Sequence, residues 1–396
     1  MTRPLLPPFY ASVGPRLTQY TLDPDTLELR VGSEAVLPAA VHYVWPHPRR
    51  KLLYVAASNR FFTPRDEGHC LAVVPVDPAT GALGPVGKAV PLRSRPIHVT
   101  VDAAGTHALV VFNNPAGIAV YRIEADGSLG AEVAQEGPLD LGIYPHQVRV
   151  APHDAFVVVP VRGNNATDTR AEDPGSLRVF DWHGGQLTPA QTVAPHGGLG
   201  FGPRHVTFHP TQPWMFVSLE RQQELQVYAV EGNRIGSAPL HRVSTLRRPE
   251  DAGPDQLAGT VHVHPSGDFV YLPNRTDTMA GADGKILFRG GDNTLAVFRI
   301  DRATGEPVRI QNLETGSYHI RTFSIAGDLL VGASIAPCKV PGPDGSMAIV
   351  PASLAFFRIG GDGTLAFERR VEIDTTGGML FWSGFLEAYR PAAAVF

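Results

Sequence analysis

Short apolar runs recur along this chain in pairs, each pair divided by a Pro or a Gly-containing turn. Tyr43-Val44-Trp45 leads through Pro48 to Leu52-Leu53-Tyr54-Val55, and His98-Val99-Thr100-Val101 through Gly105 to Ala108-Leu109-Val110-Val111. Gln147 to Val150 turns at Pro152 into Phe156 to Val159, and His205 to Phe208 turns at Pro210 into Trp214 to Val217. Val261-His262-Val263 precedes Pro265 and Phe269 to Leu272; Thr322 to Ile325 precedes Gly327 and Leu329-Leu330-Val331. A third alternating run usually follows, as in Ile118 to Ile123, Leu225 to Val230 and Leu295 to Ile300, and ends in a turn with Asp, Gly or Asn. Alternation rich in β-branched and aromatic residues, bounded by Gly and Pro, predicts strands joined in hairpins.

These units recur about every 50 to 60 residues, the spacing of a four-stranded blade repeated around an axis. Six copies are complete. The seventh is split, with Met379-Leu380-Phe381-Trp382 as inner strand and Phe9 to Val13 and Leu17 to Leu22 supplied by the N-terminal end. Closing the ring in this way removes exposed strand edges. The expected fold is therefore all-β: one seven-bladed β-propeller over residues 1–396, closed by pairing of its N- and C-terminal strands.

Composition agrees with this. Hydrophobic residues make up 43% and charged residues 18%, a low charged share that suits a chain consisting largely of buried strand. The 41 Gly and 36 Pro lie between strands, where turns need them. A net charge of −4 carries no basic footprint for nucleic acid. Cys70 and Cys338 are too few for a disulfide framework or a zinc set. No apolar run is long enough to span a membrane and no secretory leader pattern opens the chain, so a cytoplasmic protein without nucleic-acid or membrane partners is expected.

Four loops exceed the needs of the repeat: residues 61–69, 164–175, 276–291 and 336–351. Three begin where a second hairpin strand ends, so they are expected on one common side, either as surface decoration or as flaps over a pocket. Chemistry is expected on that side too. Each inner strand is entered and each second strand is left at the same rim of the central channel. Six residues before the turn Pro stand His42, His146 and Arg204, with Arg321 in this role in the sixth unit; ten residues after it stand Ser58, Arg162, Glu220 and Arg275. Charged residues in register converge on one rim, although arginine and glutamate pairing across a channel mouth would look the same.

The fifteen histidines do not all belong to this set. His98, His205 and His262 fall at the opposite parity of the inner strand and are expected between neighbouring sheets as core residues. His209, beside a turn Pro, reads as a turn residue. His262-Val263-His264 has ligand-like spacing but runs into a turn on the other face, and no HExxH occurs, so no metal is expected. Nor does the chain contain a GxSxG elbow, a Walker A sequence or a GxGxxG between strand and helix, and no cofactor is expected.

Tyr144-Pro145-His146-Gln147-Val148, Gly202-Pro203-Arg204-His205 with Phe208-His209-Pro210, then Glu220 and Pro273-Asn274-Arg275 together resemble one family over essentially the full chain. It is the seven-bladed propeller lactonase family, with its propeller-type 6-phosphogluconolactonases and fungal 3-carboxy-cis,cis-muconate lactonizing enzymes. The resemblance implies that His146, Arg204, Glu220 and Arg275 occupy the family's active-site positions and are catalytic; His42, Arg162, His319 and Arg321 are expected to bind substrate beside them. Two segments depart from the family pattern: Ser317 to Phe323 keeps only Arg321 and Phe323 of a G-x-x-P-R-x-F motif, and Arg162-Gly163-Asn164-Asn165 stands where acidic residues are frequent.

The expected activity is hydrolysis of a carboxylated or otherwise anionic lactone. Glu220, with His146, would serve as general base, Arg204 would stabilise the oxyanion, and Arg275 and Arg321 would clamp an anionic substituent. A muconate-type cycloisomerase could use the same groups. A non-catalytic propeller binding a protein or peptide on its rim is the alternative of another class, and the inward charge argues against it.

Overall fold

The computed structural model describes residues 3–59, 68–253, 255–276, 286–342 and 344–386. Seven antiparallel sheets form seven blades. Blade 1 opens with inner strand Val41–Pro46, blade 2 with Pro96–Val101, blade 3 with Arg149–Val150 and blade 4 with Pro203–Phe208. Blades 5 and 6 open with His262–Val263 and Ile320–Ala326. Blade 7 has Leu380–Phe385 inside, followed outward by Phe9–Val13, Arg16–Leu22 and Leu29–Val36, so the ring closes between the two ends as expected.

The second strands read as unbroken apolar runs because both of their faces are buried. In Val157–Val161 of blade 3, Val157, Val159 and Val161 join a core shared with blade 2, while Val158 joins one shared with blade 4. The same division is repeated around the ring. One apolar core lies between each adjacent pair of blades, including blades 6 and 7 and blades 7 and 1. The axis itself is left to the inner strands.

Each inner strand carries an irregularity near its entry. Val41 pairs with Ala57 and Tyr43 with Ala56, so His42 is an extra residue; Ile97, Arg204, Arg321 and Phe381 are extra in the same way in blades 2, 4, 6 and 7. In blade 3, Pro145 bridges Val161 while Arg149 pairs with Val158, four residues against three. Such β-bulges re-aim side chains and break strict alternation. They correct the expectation for His98 and His205. The two rings lie 6.1 Å apart although they come from blades 2 and 4, so they meet across the central channel rather than between neighbouring sheets. Tyr43 lies 4.0 Å from His98 on the same axis, and further along it the Arg149 guanidinium stacks 4.8 Å from the Trp45 ring.

The opposite face carries the turns. His209 accepts the amides of Thr211 and Gln212 at Nδ1, and its Nε2 donates to the carbonyl of Gly267 in blade 5. His47 repeats the arrangement with Arg49, Arg50 and Gly105 of blade 2. Gly105 and Gly267 have φ of +69° and +82°, and a Cβ there would lie 2.6 and 2.5 Å from the latch rings, so both positions require glycine. His209 is thus a turn residue, as its sequence context indicates.

Of the long loops, residues 164–175 are pinned to blade 4 by Arg221, which donates to Asn165 Oδ1 and to the Arg162 carbonyl and pairs with Glu172 at 3.3 Å. Residues 336–351 build a small extra sheet: Cys338–Pro341 pairs antiparallel with Met347–Val350 and parallel with Ile286–Leu287. The loop at 61–69 and the first half of that at 276–291 lie largely outside the described residues. Cys70 and Cys338 are both free and buried, and burial pushes each thiol up to about 11.

Candidate active site

Glu220 sits at the end of the second strand of blade 4, 2% exposed. Its Oε1 lies 2.7 Å from Arg204 Nε and 2.8 Å from Arg275 Nη2, and its Oε2 accepts from Arg162 Nη1 at 2.7 Å. The Arg204 N–H is not aligned on that oxygen, so this approach is a charge contact rather than a directed hydrogen bond. The three guanidiniums come from blades 3, 4 and 5. Repeat register brings them together: Arg162, Glu220 and Arg275 are the same station of successive second strands, and Arg204 is the bulged residue of the inner strand beside them.

Burial alone would raise the Glu220 carboxyl, but Arg162, Arg204 and Arg275 outweigh it and hold the pKa at about 2. A carboxylate held that low is a weak base. In this structure Glu220 is the counter-ion that packs three cations together. Arg204, 1% exposed, is lowered to about 9, first by burial and then by Arg275, Arg321 and Arg162, with Glu220 opposing. It stays cationic at neutral pH, and its Nη1 has no hydrogen-bond acceptor among the described residues.

Arg275 is committed on both outer nitrogens. Nη2 meets Glu220 and Nη1 donates to His319 Nε2 at 2.8 Å. His319 Nδ1 is 2.9 Å from the Thr276 carbonyl, which only accepts, so the ring is the Nδ1–H tautomer and its Nε2 is the acceptor. Burial, then Arg275 and Arg321, holds this imidazole well below its ordinary pKa and neutral. Arg275 and His319 thus brace one another in this structure. Arg162 stacks 4.1 Å above the Tyr144 ring, which orients it toward Glu220.

Across the rim a second group gathers on Phe381 of blade 7. The Arg321 guanidinium lies 4.1 Å above that ring and the His42 ring 4.6 Å from it. Burial, then Arg95 and Arg321, lowers His42 far below its ordinary value. His146 of blade 3 lies 5.3 Å from His205, and its Nδ1 has no partner among the described residues. Burial, then Arg204, His205, Arg321 and Arg162, keeps His146 neutral. His205 itself is fixed by Gln147: Gln147 Oε1 accepts the Val206 amide, so its Nε2 faces His205 Nδ1 at 3.3 Å.

The structure thus brings His146, Arg204, Glu220, Arg275, Arg162 and His319 into one network, with Arg321 and His42 joined to it through Phe381 and through the field of the arginines. Reading by position missed Phe381, Tyr144, His205 and the amide of Gln147. Their signal was the adjacency of Gln147 and His205 to His146 and Arg204 in a strand whose bulge puts consecutive side chains on the channel side. Among the described residues, Arg162, Arg204 and Arg275 surround the one carboxylate of Glu220, so this part of the rim carries excess positive charge. An anion would neutralise it.

A family model described as "Lactonase, 7-bladed beta-propeller" matches residues 10–334. The chain is 27% identical to the 6-phosphogluconolactonase of Bacillus subtilis over 234 residues, 58% of this chain and 59% of that protein. It is 25% identical to the 6-phosphogluconolactonase of Yersinia pestis over 273 residues, 60% of this chain and 75% of the relative. In fold it is similar to a periplasmic gluconolactonase of Pseudomonas aeruginosa, with TM-score 0.72, 19% identity and 93% and 97% of the two chains covered. A protein from Lactobacillus plantarum matches at TM-score 0.71 and 19% identity over 96% of this chain and 100% of that one.

Proposed function

This chain belongs to the seven-bladed β-propeller lactonase family, and we propose that it hydrolyses a lactone bearing an anionic substituent at the rim formed by Arg162, Arg204 and Arg321. The observation that carries this reading is that three guanidiniums, those of Arg162, Arg204 and Arg275, pack around one carboxylate, Glu220, among the described residues. A buried cation excess is costly unless a partner of opposite charge arrives.

In this reading the carboxylate or phosphate of the substrate pairs with Arg321 and the outer edge of Arg162. The lactone carbonyl faces Arg204 Nη1, the unpartnered donor, which stabilises the oxyanion that forms on attack. A neutral imidazole in reach supplies the base. His146 takes a proton from water through its unpartnered Nδ1 as the water oxygen bonds to the carbonyl carbon. The ring C–O bond then breaks, and the same proton passes to the departing alkoxide, giving the hydroxy acid. Glu220 and Arg275, braced by His319, hold Arg204 and Arg162 in place.

The relatives this chain matches are named as lactonases, which supports lactone opening over ring closure. The test is turnover of a panel of neutral, carboxylated and phosphorylated lactones. Arg204→Met should lower kcat/KM by roughly 100- to 1000-fold on the best substrate. Unchanged turnover in that variant, in a folded protein, would sink the reading.

A further inference from the structure

We propose that Asn113 and His98, both from blade 2, form a neutral hydrogen-bonding subsite that selects lactones carrying hydroxyl groups on the flank away from the anion. This rests on the lactonase reading above. Pairing register identifies Asn113. Pro96 pairs with Phe112 just as Pro203 pairs with Leu219, so the next residue, Asn113, takes in blade 2 the station that Glu220 takes in blade 4. Around the rim this station runs Ser58, Asn113, Arg162, Glu220, Arg275. Asn113 thus stands between Ser58 and a cation of the site.

Its side chain is 3% exposed, and neither amide atom has a hydrogen-bond partner among the described residues. A primary amide offers two donors and two acceptor positions, and leaving all of them buried and unused opposes folding. Buried asparagines with a structural task behave otherwise: Asn293 donates to Ser317 and Asn274 to Thr245. His98 shares the anomaly. It is fully buried, neither ring nitrogen has a partner among the described residues, and it faces His205, the neighbour of His146. Burial, then Arg149 and Arg204, keeps it uncharged.

The site is therefore two-sided. Blades 3 to 6 present guanidiniums, whereas blade 2 presents an amide and a neutral imidazole, with Arg95 at its entry near enough to act on His42. Amide and imidazole each donate and accept, which matches hydroxyl groups and not a bare hydrocarbon ring. A site built to bond hydroxyls discriminates strongly against an analogue lacking them, because its own groups then stay unpaired.

The experiment compares kcat/KM for a polyhydroxylated aldonolactone and its deoxy analogue in the wild type, Asn113→Ala and His98→Phe, with folding checked by circular dichroism. The wild type should prefer the hydroxylated lactone, and Asn113→Ala should erode that preference by roughly 10- to 100-fold. Equal loss on both lactones, or no loss in either variant, overturns the proposal. A parallel arm needs no turnover: thermal stabilisation by the aldonic acid against its deoxy analogue. If wild type opens no lactone but its stabilisation by the aldonic acid disappears in Asn113→Ala, the subsite stands and the hydrolytic reading falls. If wild type and variant respond alike to the acid, the subsite falls.

Discussion

Two histidines on the turn face and two on the rim face are used in opposite ways. On the turn face, His47 and His209 are buried with both ring nitrogens engaged, holding one blade to the next through a glycine carbonyl. On the rim face, His98 and His146 are comparably buried yet keep nitrogens without partners among the described residues, beside an arginine whose Nη1 likewise has none. Burial does not distinguish the two sets, because all four imidazoles are held below their ordinary pKa chiefly by desolvation. Hydrogen-bond satisfaction does. A satisfied buried polar group serves the fold, whereas an unsatisfied one stores a cost that a ligand relieves.

The largest expected effect strikes the centre of the rim network. Glu220→Gln leaves three guanidiniums packed around a neutral amide and should cost about 3–5 kcal/mol of stability, read by chemical denaturation. A loss below about 1 kcal/mol would mean the cations are not held by that carboxylate. Acid titration of the wild type follows in size. Glu220 has a folded pKa of about 2 against an ordinary 4.5, so its contribution is complete above about pH 4.5 and fades as pH falls toward 2. That window is worth about 3 kcal/mol at one unit per 1.36 kcal/mol, and it should be absent from the Glu220→Gln titration.

His209→Ala breaks a latch and should cost about 1–2 kcal/mol while lactone turnover is retained. The latch histidines are depressed too, so their contribution is present above the ordinary 6.5 and is lost as pH falls below it; the variant should lose part of that upper window and none of the lower one. The smallest stability effect, and the one of opposite sign, belongs to His146→Leu. Replacing an unsatisfied buried imidazole by an apolar group should leave the melting temperature unchanged or raise it, while activity falls about 100- to 10,000-fold. If this variant loses as much stability as His209→Ala, the contrast between the faces is wrong.

Much of this molecule is legible in its sequence. The hairpins, the period, the split seventh blade and the station shared by Arg162, Glu220 and Arg275 follow from apolar alternation and turn residues, because strand periodicity and glycine or proline turns are local physics. Counting from the turn Pro also had a blind spot. Blade 2 turns at Gly105 without a proline, so Asn113 was invisible to that count, although aligning the strands themselves would have found it. Parity failed for His98 and His205 because a bulge inserts a residue into each inner strand, and a bulge depends on how two strands pair.

The chemical roles needed three dimensions. That Glu220 pairs with several arginines, and that Arg275 also bonds His319, depends on approaches of 2.7 to 2.8 Å between side chains 44 and more residues apart. Sequence determined the ring and which residue types would line its rim. Tertiary structure alone decided which charges pair and which buried polar atoms lack a partner among the described residues, since electrostatics and desolvation follow distance in space, not position along the chain.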